Sequence, residues 1–411
     1  MSKKLLFIGF VWPEPKSSAT GSRTLQLIEV FQNQGYEVTF VSTAKPSSNT
    51  FDLESIGVQT KSIALNHSSF DNFLKQLQPA VVVFDRFMVE EQFGWRVAEI
   101  CPNAIRILDT IDLHFLRKGR EEAYKKGEEF SDELLINDFT KREIASIYRC
   151  DLSLIISEYE IQLLNNKFHI NPSLILYLPF LLSPVTDNYK NQLPKFSERQ
   201  HLVTIGNFMH APNYESIVYL KQKIWTKLRQ RLPKVELHIY GSYESQKVKQ
   251  LHNEKEGFLI KGFANDVNEV MKNAKLCLAP LPFGAGLKGK LVDAMQNSTP
   301  SVMSSVAAEG MFDDKVPGFI ADEPQSFIDN IIKLYQNEEL WNEKSAIGFE
   351  VITQRFDKII FSKILIERIE DLIKNLSQHR HQNFIGQMLS HHTLKSTKYL
   401  SKWIEEKNKN K

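Results

Sequence analysis

Short apolar runs alternate with longer amphipathic segments along the first half of the chain. Apolar runs of strand length are typical of parallel strands that are covered on both faces of a sheet. A helical pattern over Thr24–Gln34 follows the first run, and Gly35 ends it. This alternation predicts a doubly wound sheet, with strands at Leu5–Phe10, Val38–Val41, Ala80–Phe84, Ile105–Leu108 and Leu152–Ile156.

The alternation stops near Pro179 and resumes after Arg199. Prolines, asparagines and scattered charges in between are typical of an interdomain linker. Beyond it, strands are predicted at His201–Ile205, Val235–Tyr240, Phe258–Lys261, Leu276–Ala279 and Ser301–Val306. Helices are predicted around Ser216–Leu232, Asp266–Asn273 and Lys290–Gln296.

These patterns predict an α/β protein of two Rossmann-like, doubly wound domains that face a cleft, with C-terminal helices. A chain of 411 residues is also longer than a single core usually supports. We expect ligands at the carboxyl ends of the strands, and the helix after the second domain to pack back toward the first. The expected boundaries are a first domain at 1–180, a linker at 181–199, a second domain at 200–355, a helix at 356–378 and a basic, polar tail at 379–411.

Net charge, hydrophobicity and cysteine content indicate which partners and which compartment to expect. The formal net charge is +2, whereas nucleic-acid-binding domains are usually strongly basic, so we expect no nucleic-acid partner. No run of about twenty apolar residues occurs, which predicts no membrane span. Cys101, Cys150 and Cys277 lie far apart, as expected of small core residues in a reducing compartment. We therefore expect a cytoplasmic protein.

The most informative segment runs from Ala279 to Met295 and places a glycine-rich loop between a strand and a helix. Glycines let the backbone approach a ligand closely, and the N–H groups that start a helix attract anions. Lys288 and Lys290 add positive charge suited to a diphosphate, and Asp293 lies one helical turn further on. The plain alternative is a solvated loop with two surface lysines. The spacing matches neither the nucleotide-binding P-loop nor the dinucleotide fingerprint.

This segment resembles a known family in the order of its residues. The likeness begins with Gly284-Ala285-Gly286-Leu287-Lys288-Gly289-Lys290-Leu291-Val292-Asp293-Ala294-Met295, followed by Thr299-Pro300 and Ala307-Ala308-Glu309-Gly310. Upstream it includes Gly206-Asn207-Phe208, Pro212-Asn213, the segment Pro233–Gly241, Gly262 and Asp266. In the first half it includes Pro13, Gly21, Arg23, the segment Leu108–His114, Arg117, Arg120 and Ser157-Glu158. From about Leu5 to Asn375, the chain resembles retaining glycosyltransferases of the GT-B fold, and more narrowly their group 1 branch, family four.

The resemblance implies that a sugar moves from a nucleoside diphosphate sugar to a hydroxyl of a glycan or glycolipid acceptor, with retention, in surface glycan or glycoconjugate synthesis. It also implies that no metal or other cofactor takes part, and no Asp-x-Asp metal motif follows a strand. The implied catalytic residues are Lys290, His114 and Glu309. The implied donor-binding residues are Gly21, Gly206, Asn207, Gly241, Gly284, Gly286, Leu287, Lys288 and Asp293, and the acceptor-side residues are Asp109 and Asp112.

Three positions depart from the family pattern. Ala285 stands where an acidic residue often contacts the donor sugar, and Ser298 replaces a glycine. The basic residues that follow Gly206 in the family are missing, with Asn207 and His210 nearby. We therefore expect Lys288 and Lys290 to carry more of the phosphate charge.

Several candidates also have a purely structural interpretation. Gly21, Asp109 and Asp112 are alternatively parts of helix caps, and His114 is alternatively a packed core histidine. Glu309 is alternatively a carboxylate that stabilises a helix N-terminus.

Two other functions compete with glycosyl transfer. A catalytically silent GT-B protein that binds a nucleotide or glycan is consistent with Ala285 and with the missing basic residues. A nicotinamide-dependent oxidoreductase is disfavoured, because prolines occupy the first turn after the first strand, where the dinucleotide fingerprint would lie.

The tail places Tyr399 and Trp403 on one helical face, with Lys395, Lys398 and Lys402 nearby. This pattern indicates either an interfacial anchor at the inner face of a membrane or a solvated, frayed terminus. His379, His381, His391 and His392 accompany no fixed ligand set, so we expect no metal there.

Overall fold

The computed structural model describes residues 3–391, 399–401, 403–404 and 407, so His392, Lys395, Lys398 and Lys402 lie outside the described residues. The strands form two parallel sheets. The first sheet contains β1 Lys4–Gly9, β2 Glu37–Ser42, β3 Gln59–Ser62, β4 Val81–Asp85, β5 Ile105–Asp109, β6 Leu152–Ile155 and β7 Ile175–Tyr177. The second contains β8 His201–Ile205, β9 Leu237–Tyr240, β10 Phe258–Gly262, β11 Ala274–Ala279, β12 Ser301–Met303 and β13 Gly318–Ile320.

Helices connect the strands and cover the sheets. The first domain contains α1 Ala19–Asn33, α2 Ser69–Leu77, α3 Phe87–Ile100, α4 His114–Lys126, α5 Asp132–Leu135, α6 Asp138–Arg149 and α7 Glu158–Phe168, and α8 Asp187–Gln192 follows it. The second domain contains α9 Ala211–Tyr219, α10 Thr226–Arg231, α11 Gln246–Lys249, α12 Val267–Asn273, α13 Gly289–Gln296, α14 Ser305–Ala308, α15 Pro324–Gln336 and α16 Glu338–Arg355. The chain ends with α17 Lys358–Gln382 and α18 Phe384–Ser390.

The strand orders confirm two doubly wound sheets. They are β3-β2-β1-β4-β5-β6-β7 and β10-β9-β8-β11-β12-β13. In each sheet the first strand lies inside, and the order reverses beside it, which opens a crevice at the carboxyl ends of the strands. Leu6 and Ile8 of β1 belong to one apolar cluster and Leu5 and Phe7 to another, so both faces of the sheet are covered.

The ten predicted strands are confirmed, and three short edge strands were missed. β3 lacks an apolar run because it lies at the edge and consists of polar residues, Gln59–Ser62. β7 and β13 are only 3 residues long. The predicted strand Ser301–Val306 ends at Met303, because the Ser304 side chain caps α14.

The chain crosses between the domains at two places that are hydrogen-bonded to each other. The Leu182 amide donates to the Phe356 carbonyl over 2.7 Å, and the Lys358 amide donates to the Leu182 carbonyl over 2.9 Å. The two crossings therefore form a single seam. From it, α17 packs on the first domain, where Leu365, Ile369 and Leu372 join the cluster of Leu5 and Phe7.

The C-terminal boundary differs from the predicted one. The expected helix at 356–378 continues to Gln382 after a kink at Asn375, and the expected tail at 379–411 begins with docked residues. His379 is hydrogen-bonded to the Asp151 carbonyl, and the Arg380 guanidinium binds both carboxylate oxygens of Asp151 at 2.7 Å. Polar and basic residues are usually solvated, so the sequence pattern did not predict this docking. Here these side chains bind backbone carbonyls and a buried carboxylate. Within the described ranges, no helix is long and apolar enough to cross a bilayer.

A buried ion pair anchors the carboxyl end of β5. Arg23 of α1 is 1% exposed and Asp109 is 0% exposed, and the Arg23 Nε lies 2.8 Å from Asp109 Oδ1. Arg23 also donates to the carbonyls of Leu178 and Pro179, at the end of the first domain. Three chain segments therefore meet at one guanidinium.

Replacing Asp109 by leucine should strongly destabilise the protein, since it leaves the Arg23 charge buried without its partner. We expect the free energy of unfolding, measured by chemical denaturation, to fall by about 3–5 kcal/mol. The double variant Arg23→Met/Asp109→Leu, which removes both charges, should recover much of that loss. An Asp109→Leu protein as stable as the wild type would contradict this role.

Candidate active site

The glycine-rich loop, residues 280–288, leaves the carboxyl end of β11 and leads into α13. Lys288 occupies the N-cap position of α13 and is 9% exposed, and its ammonium donates to the carbonyls of Ala285 at 3.1 Å and Gly286 at 2.5 Å. Lys288 is therefore not a surface lysine. Its charge lies within the loop and holds the loop's own backbone.

Lys290, at the start of α13, is half-buried and held by the loop after β8. Its ammonium donates to Asn213 Oδ1 over 3.0 Å, and the Asn213 amide donates to the Asn207 carbonyl over 3.0 Å. A Cβ on Gly206 would lie 2.6 Å from the Asn213 side chain, and one on Gly241 would lie 2.1 Å from the Gly206 carbonyl oxygen. These two glycines therefore permit the close packing that positions Asn213 and, through it, Lys290.

The starts of two helices meet across the cleft beside these lysines. A Cβ on Gly289, the first residue of α13, would lie 2.6 Å from the Cβ of Ala19, the first residue of α1. The positive ends of both helix dipoles therefore lie close to one place. An anion bound there would meet the N–H groups of a helix start and the ammonium of Lys290.

The acceptor loop, residues 110–113, lies between β5 and α4 and carries a charged set of side chains. Asp112 Oδ2 accepts from Arg117 Nε over 2.7 Å, and Asp112 Oδ1 lies 3.3 Å from His114 Nδ1. His114 is 7% exposed, begins α4, and packs edge-on against the Phe87 ring. Burial acts to raise the pKa of Asp112, but Arg117 and then His114 and His210 hold it below its usual range.

Burial changes the ionisation of the donor-side groups. It lowers the pKa of Lys290 to about 8 and the pKa of Lys288 to about 8, where Glu309 and Glu160 partly offset it. It raises the pKa of Asp293 to about 7, against the effect of Lys290. It lowers the pKa of His210 to about 4, helped by Arg117, so His210 is neutral near pH 7.

The two domains contact each other through the glycine-rich loop. Arg120 Nη1 donates to the Gly284 carbonyl over 2.8 Å, and the guanidinium binds both carboxylate oxygens of Glu309 at 2.8 and 2.7 Å. The Gly286 amide donates to Glu160 Oε1 over 2.8 Å. Leu287 is buried in a cluster that includes Ile156 of the first domain.

The structure corrects three of the predicted roles. Asp109 cannot serve the acceptor side, because it is fully buried against Arg23. Gly21 does not offer its amide to a donor phosphate, because that amide donates to the N-cap Ser18 Oγ over 3.1 Å. The amide of Gly286, a predicted donor-binding residue, donates to Glu160. In each case a protein partner takes the group that was assigned to a ligand.

Glu309 lies at the C-terminal end of α14, so the alternative of a helix N-terminal carboxylate is wrong. Its carboxylate binds Arg120 of the first domain. Asp293, in contrast, has no hydrogen-bond partner for its carboxylate among the residues that the structure describes. The predicted donor-binding role of Asp293 remains a prediction.

Ala285 also has a structural explanation. Its methyl group is 8% exposed and packs into the apolar cluster of the first domain, with Leu113 and Leu116. An acidic side chain there would be buried in that cluster, close to Glu160. The departure at Ala285 therefore fits the way this loop docks on the first domain.

Sequence reasoning missed Glu160, and it gave Asn213 no role. Asn213 follows Pro212 at a helix start, a place where side chains usually cap, so nothing in the pattern connects it to Lys290. Glu160 lies among the charged residues that begin α7, where a solvated carboxylate is the normal expectation. Among the described residues, no group of three or more histidine, cysteine, aspartate and glutamate side chains is placed to hold a metal ion.

The second domain is similar to a known protein family. Residues 199–337 match the family described as "Glycosyl transferases group 1". The match covers most of the second domain and about a third of the chain. Among curated proteins, no sequence matches this chain.

Solved structures share the two-domain GT-B fold at low sequence identity. Sucrose-phosphate synthase from Thermosynechococcus elongatus is 13% identical with a TM-score of 0.69, and the match covers 90% of this chain and 99% of that one. HepE from Anabaena, in complex with UDP and glucose, is 13% identical with a TM-score of 0.64, over 89% and 99% of the two chains. TarM from S. aureus is 14% identical with a TM-score of 0.57, over 73% of this chain and only 58% of TarM.

Anion binding at the two lysines should weaken as the pH rises through about 8, because each ammonium loses its proton there. We expect the affinity for inorganic pyrophosphate, measured by calorimetry, to be higher at pH 7 than at pH 9. The Lys290→Arg variant should lose less affinity over this range, because a guanidinium stays protonated. Equal pyrophosphate affinity of the wild type at both pH values would contradict the assignment.

Proposed function

We propose that this chain, whose second domain is similar to group 1 glycosyltransferases, transfers a sugar from a nucleoside diphosphate sugar to a hydroxyl of a glycan or glycolipid acceptor. The observation that carries the proposal is Lys290, which is held by Asn213 at the meeting point of two helix starts. Structures of HepE with UDP and glucose and of TarM with UDP support a nucleotide-sugar donor. The role in surface glycan or glycoconjugate synthesis is part of the proposal.

The chemical problem in this reaction is the negative charge on the departing diphosphate. Lys290 supplies a positive charge that is partly withdrawn from water, where its electrostatic effect is large. The starts of α13 and α1 add oriented N–H dipoles from both domains. Lys288 contributes positive charge from within the loop while its ammonium holds the loop backbone. This set supports leaving-group stabilisation by protein groups, without a metal.

Asp293 and the acceptor loop serve the two reacting partners. The Asp293 carboxylate accepts hydrogen bonds from ribose or sugar hydroxyls of the donor. Asp112 and His114 of the first domain orient the acceptor or the reacting sugar. Glu143 Oε1 lies 3.5 Å from His114 Nδ1, the same ring nitrogen that lies near Asp112.

Retention of configuration is part of the proposal. It requires the acceptor hydroxyl to approach from the face that the diphosphate leaves. A Cβ on Gly286 would lie 2.8 Å from the Asp112 Cβ, so the acceptor loop lies directly against the donor loop. This close approach supports a reaction in which the acceptor hydroxyl reaches the sugar beside the departing phosphate.

A silent binding protein is the second candidate. The ion pair of Glu309 with Arg120 favours it, because that carboxylate is engaged between the domains. Slow hydrolysis of donor sugars in the absence of acceptor distinguishes the candidates, since only an enzyme accelerates it.

Replacing Lys290 by alanine should lower the turnover of the donor roughly 100- to 1000-fold, because an electrostatic contact to the leaving group is lost. The measurement is release of nucleoside diphosphate from a panel of nucleotide sugars that begins with UDP-glucose. Lys272→Ala, which removes a surface lysine of the same domain, is the matched control. Unchanged turnover by Lys290→Ala would remove the proposed chemistry, and an inverted anomeric configuration in the product would remove retention.

We also propose a peripheral contact of the C-terminal end with an anionic membrane surface, which would bring the enzyme to a glycolipid acceptor. Phe384 is 69% exposed and Met388 is 57% exposed on α18, and Tyr399 and Trp403 are 64% and 59% exposed. Lysines outnumber acidic residues after His391. Exposed aromatic residues combined with basic residues favour the interface of anionic lipids.

Binding to vesicles tests this contact. The full chain should co-sediment with phosphatidylcholine vesicles that contain phosphatidylglycerol and not with pure phosphatidylcholine. The triple variant Phe384→Ser/Ile385→Ser/Met388→Ser should lose most of this binding. The control variant Ile359→Ser/Ile360→Ser, which changes exposed apolar residues of α17, should retain it. Binding that does not depend on phosphatidylglycerol, or that survives the triple variant, would contradict the proposal.

A further inference from the structure

The start of α7 is a docking segment for the second domain. A Cβ on Gly310 would lie 2.3 Å from the Oγ of Ser157, and Glu158 Oε2 accepts from Arg355 Nη2 over 2.5 Å. Two positions further on, Glu160 receives the Gly286 amide. Residues 157–160 therefore bring one short stretch of the first domain against three separate parts of the second.

Glu160 differs from its neighbours because one of its oxygen atoms joins two loops. It is 1% exposed, and Oε1 accepts from the Gly286 amide over 2.8 Å and from the Leu113 amide over 3.0 Å. Gly286 belongs to the glycine-rich loop and Leu113 to the acceptor loop. The other oxygen, Oε2, is buried without a hydrogen-bond partner among the described residues. The carboxyl group therefore lies between the donor side and the acceptor side.

One of the two loops that Glu160 joins is strained. Ile111 in the acceptor loop has a φ of 65°, which is a true outlier for a β-branched residue, whereas Gly286 has a φ of +65° that glycine adopts without strain. The Ile111 carbonyl oxygen would lie 3.0 Å from a Cβ on Gly286. Such strained conformations persist only where surrounding contacts hold them, and they are frequent at functional sites.

Arg120 holds the same loop two residues earlier. Its guanidinium binds the Gly284 carbonyl and Glu309, and Nη2 lies 3.3 Å from the Tyr159 hydroxyl. Two residues of the first domain thus hold the glycine-rich loop. Arg120 binds the Gly284 carbonyl, and Glu160 binds the Gly286 amide. These contacts determine the path of the chain toward Lys288 and Lys290.

We propose that Glu160 is a positioning residue that couples closure of the two domains to the shape of the donor-binding loop. When the domains close, its carboxyl group aligns Gly286 with Leu113. Lys288 and Lys290 are thereby placed next to the acceptor loop. The proposal rests on the proposed function only for the identity of the ligand, since the contacts of Glu160 exist without reference to any donor.

The ionisation of Glu160 suggests which substitution is conservative. Burial raises the pKa of Glu160 to about 8, helped by Asp112 and opposed by the Leu113 and Gly286 amides and Lys288. The carboxyl group is therefore mostly protonated near pH 7. Glutamine has the same shape and keeps the oxygen that accepts from both amides, whereas leucine keeps only the volume.

Hydrogen exchange of the full chain without ligand tests the positioning directly. In Glu160→Leu, the Gly286 amide, in peptides that cover residues 284–288, and the Leu113 amide, in peptides that cover 110–114, should exchange at least about tenfold faster than in the wild type, because their acceptor is gone. Glu160→Gln should exchange like the wild type. Glu158→Leu removes the neighbouring ion pair with Arg355 and is the matched control, with no change in these peptides.

Binding of inorganic pyrophosphate supplies the second readout. Glu160→Leu should bind it about tenfold more weakly, a loss of about 1.4 kcal/mol, and Glu160→Gln should bind it within about twofold of the wild type. If Glu160→Leu does not fold, Glu160→Asp replaces it, since the shorter side chain loses its reach to Gly286.

Three results would overturn the proposal. The first is unchanged exchange in both loops of a folded Glu160→Leu or Glu160→Asp variant. The second is a Glu160→Gln variant as impaired as Glu160→Leu, which would mean that the ionisable group itself is required. The third is faster exchange with unchanged pyrophosphate affinity, which would separate the loop shape from the anion site. The exchange experiment measures loop protection without any substrate or reaction. Its result therefore still tests the role of Glu160 if the protein turns out not to transfer a sugar.

Discussion

The contact between two loops from different domains is the constraint on which the site depends. Gly286 adopts a left-handed conformation, and any side chain at this position would collide with Asp112. Only glycine lets the donor loop lie flat on the acceptor loop. The groups proposed for the leaving diphosphate and the groups proposed for the acceptor are therefore neighbours in this structure.

Charged side chains around this contact are neutralised in part by ion pairs between the two domains. Arg120 of the first domain binds Glu309 of the second, while the Lys288 ammonium is held by carbonyls of its own loop. Lys290 differs because its only described side-chain partner is the neutral Asn213. An anion near Lys290 would thus meet a positive charge that no carboxylate neutralises directly. The proposed stabilisation of the departing phosphate therefore depends more on Lys290 than on Lys288.

The sequence predicted the fold well because buried parallel strands are continuous apolar runs. β1 and β4 are clear apolar runs. β3 is not, because it lies at the open edge of the sheet and consists of polar residues. The site was harder to predict. Lys290 could be predicted as a site residue because it lies at a helix start. The role proposed for Glu160 depends on contacts between segments far apart in the chain. Asp109 was misassigned for the same reason, since its partner Arg23 lies 86 residues away.

The seam formed by Leu182, Phe356 and Lys358 has a mechanical consequence. Because both connections between the domains pass through one hydrogen-bonded junction, any change in the relative orientation of the domains has to be accommodated by the backbone of these few residues. The same junction leads into α17, which packs on the first domain, so the C-terminal helices begin beside the point on which the orientation of the domains depends.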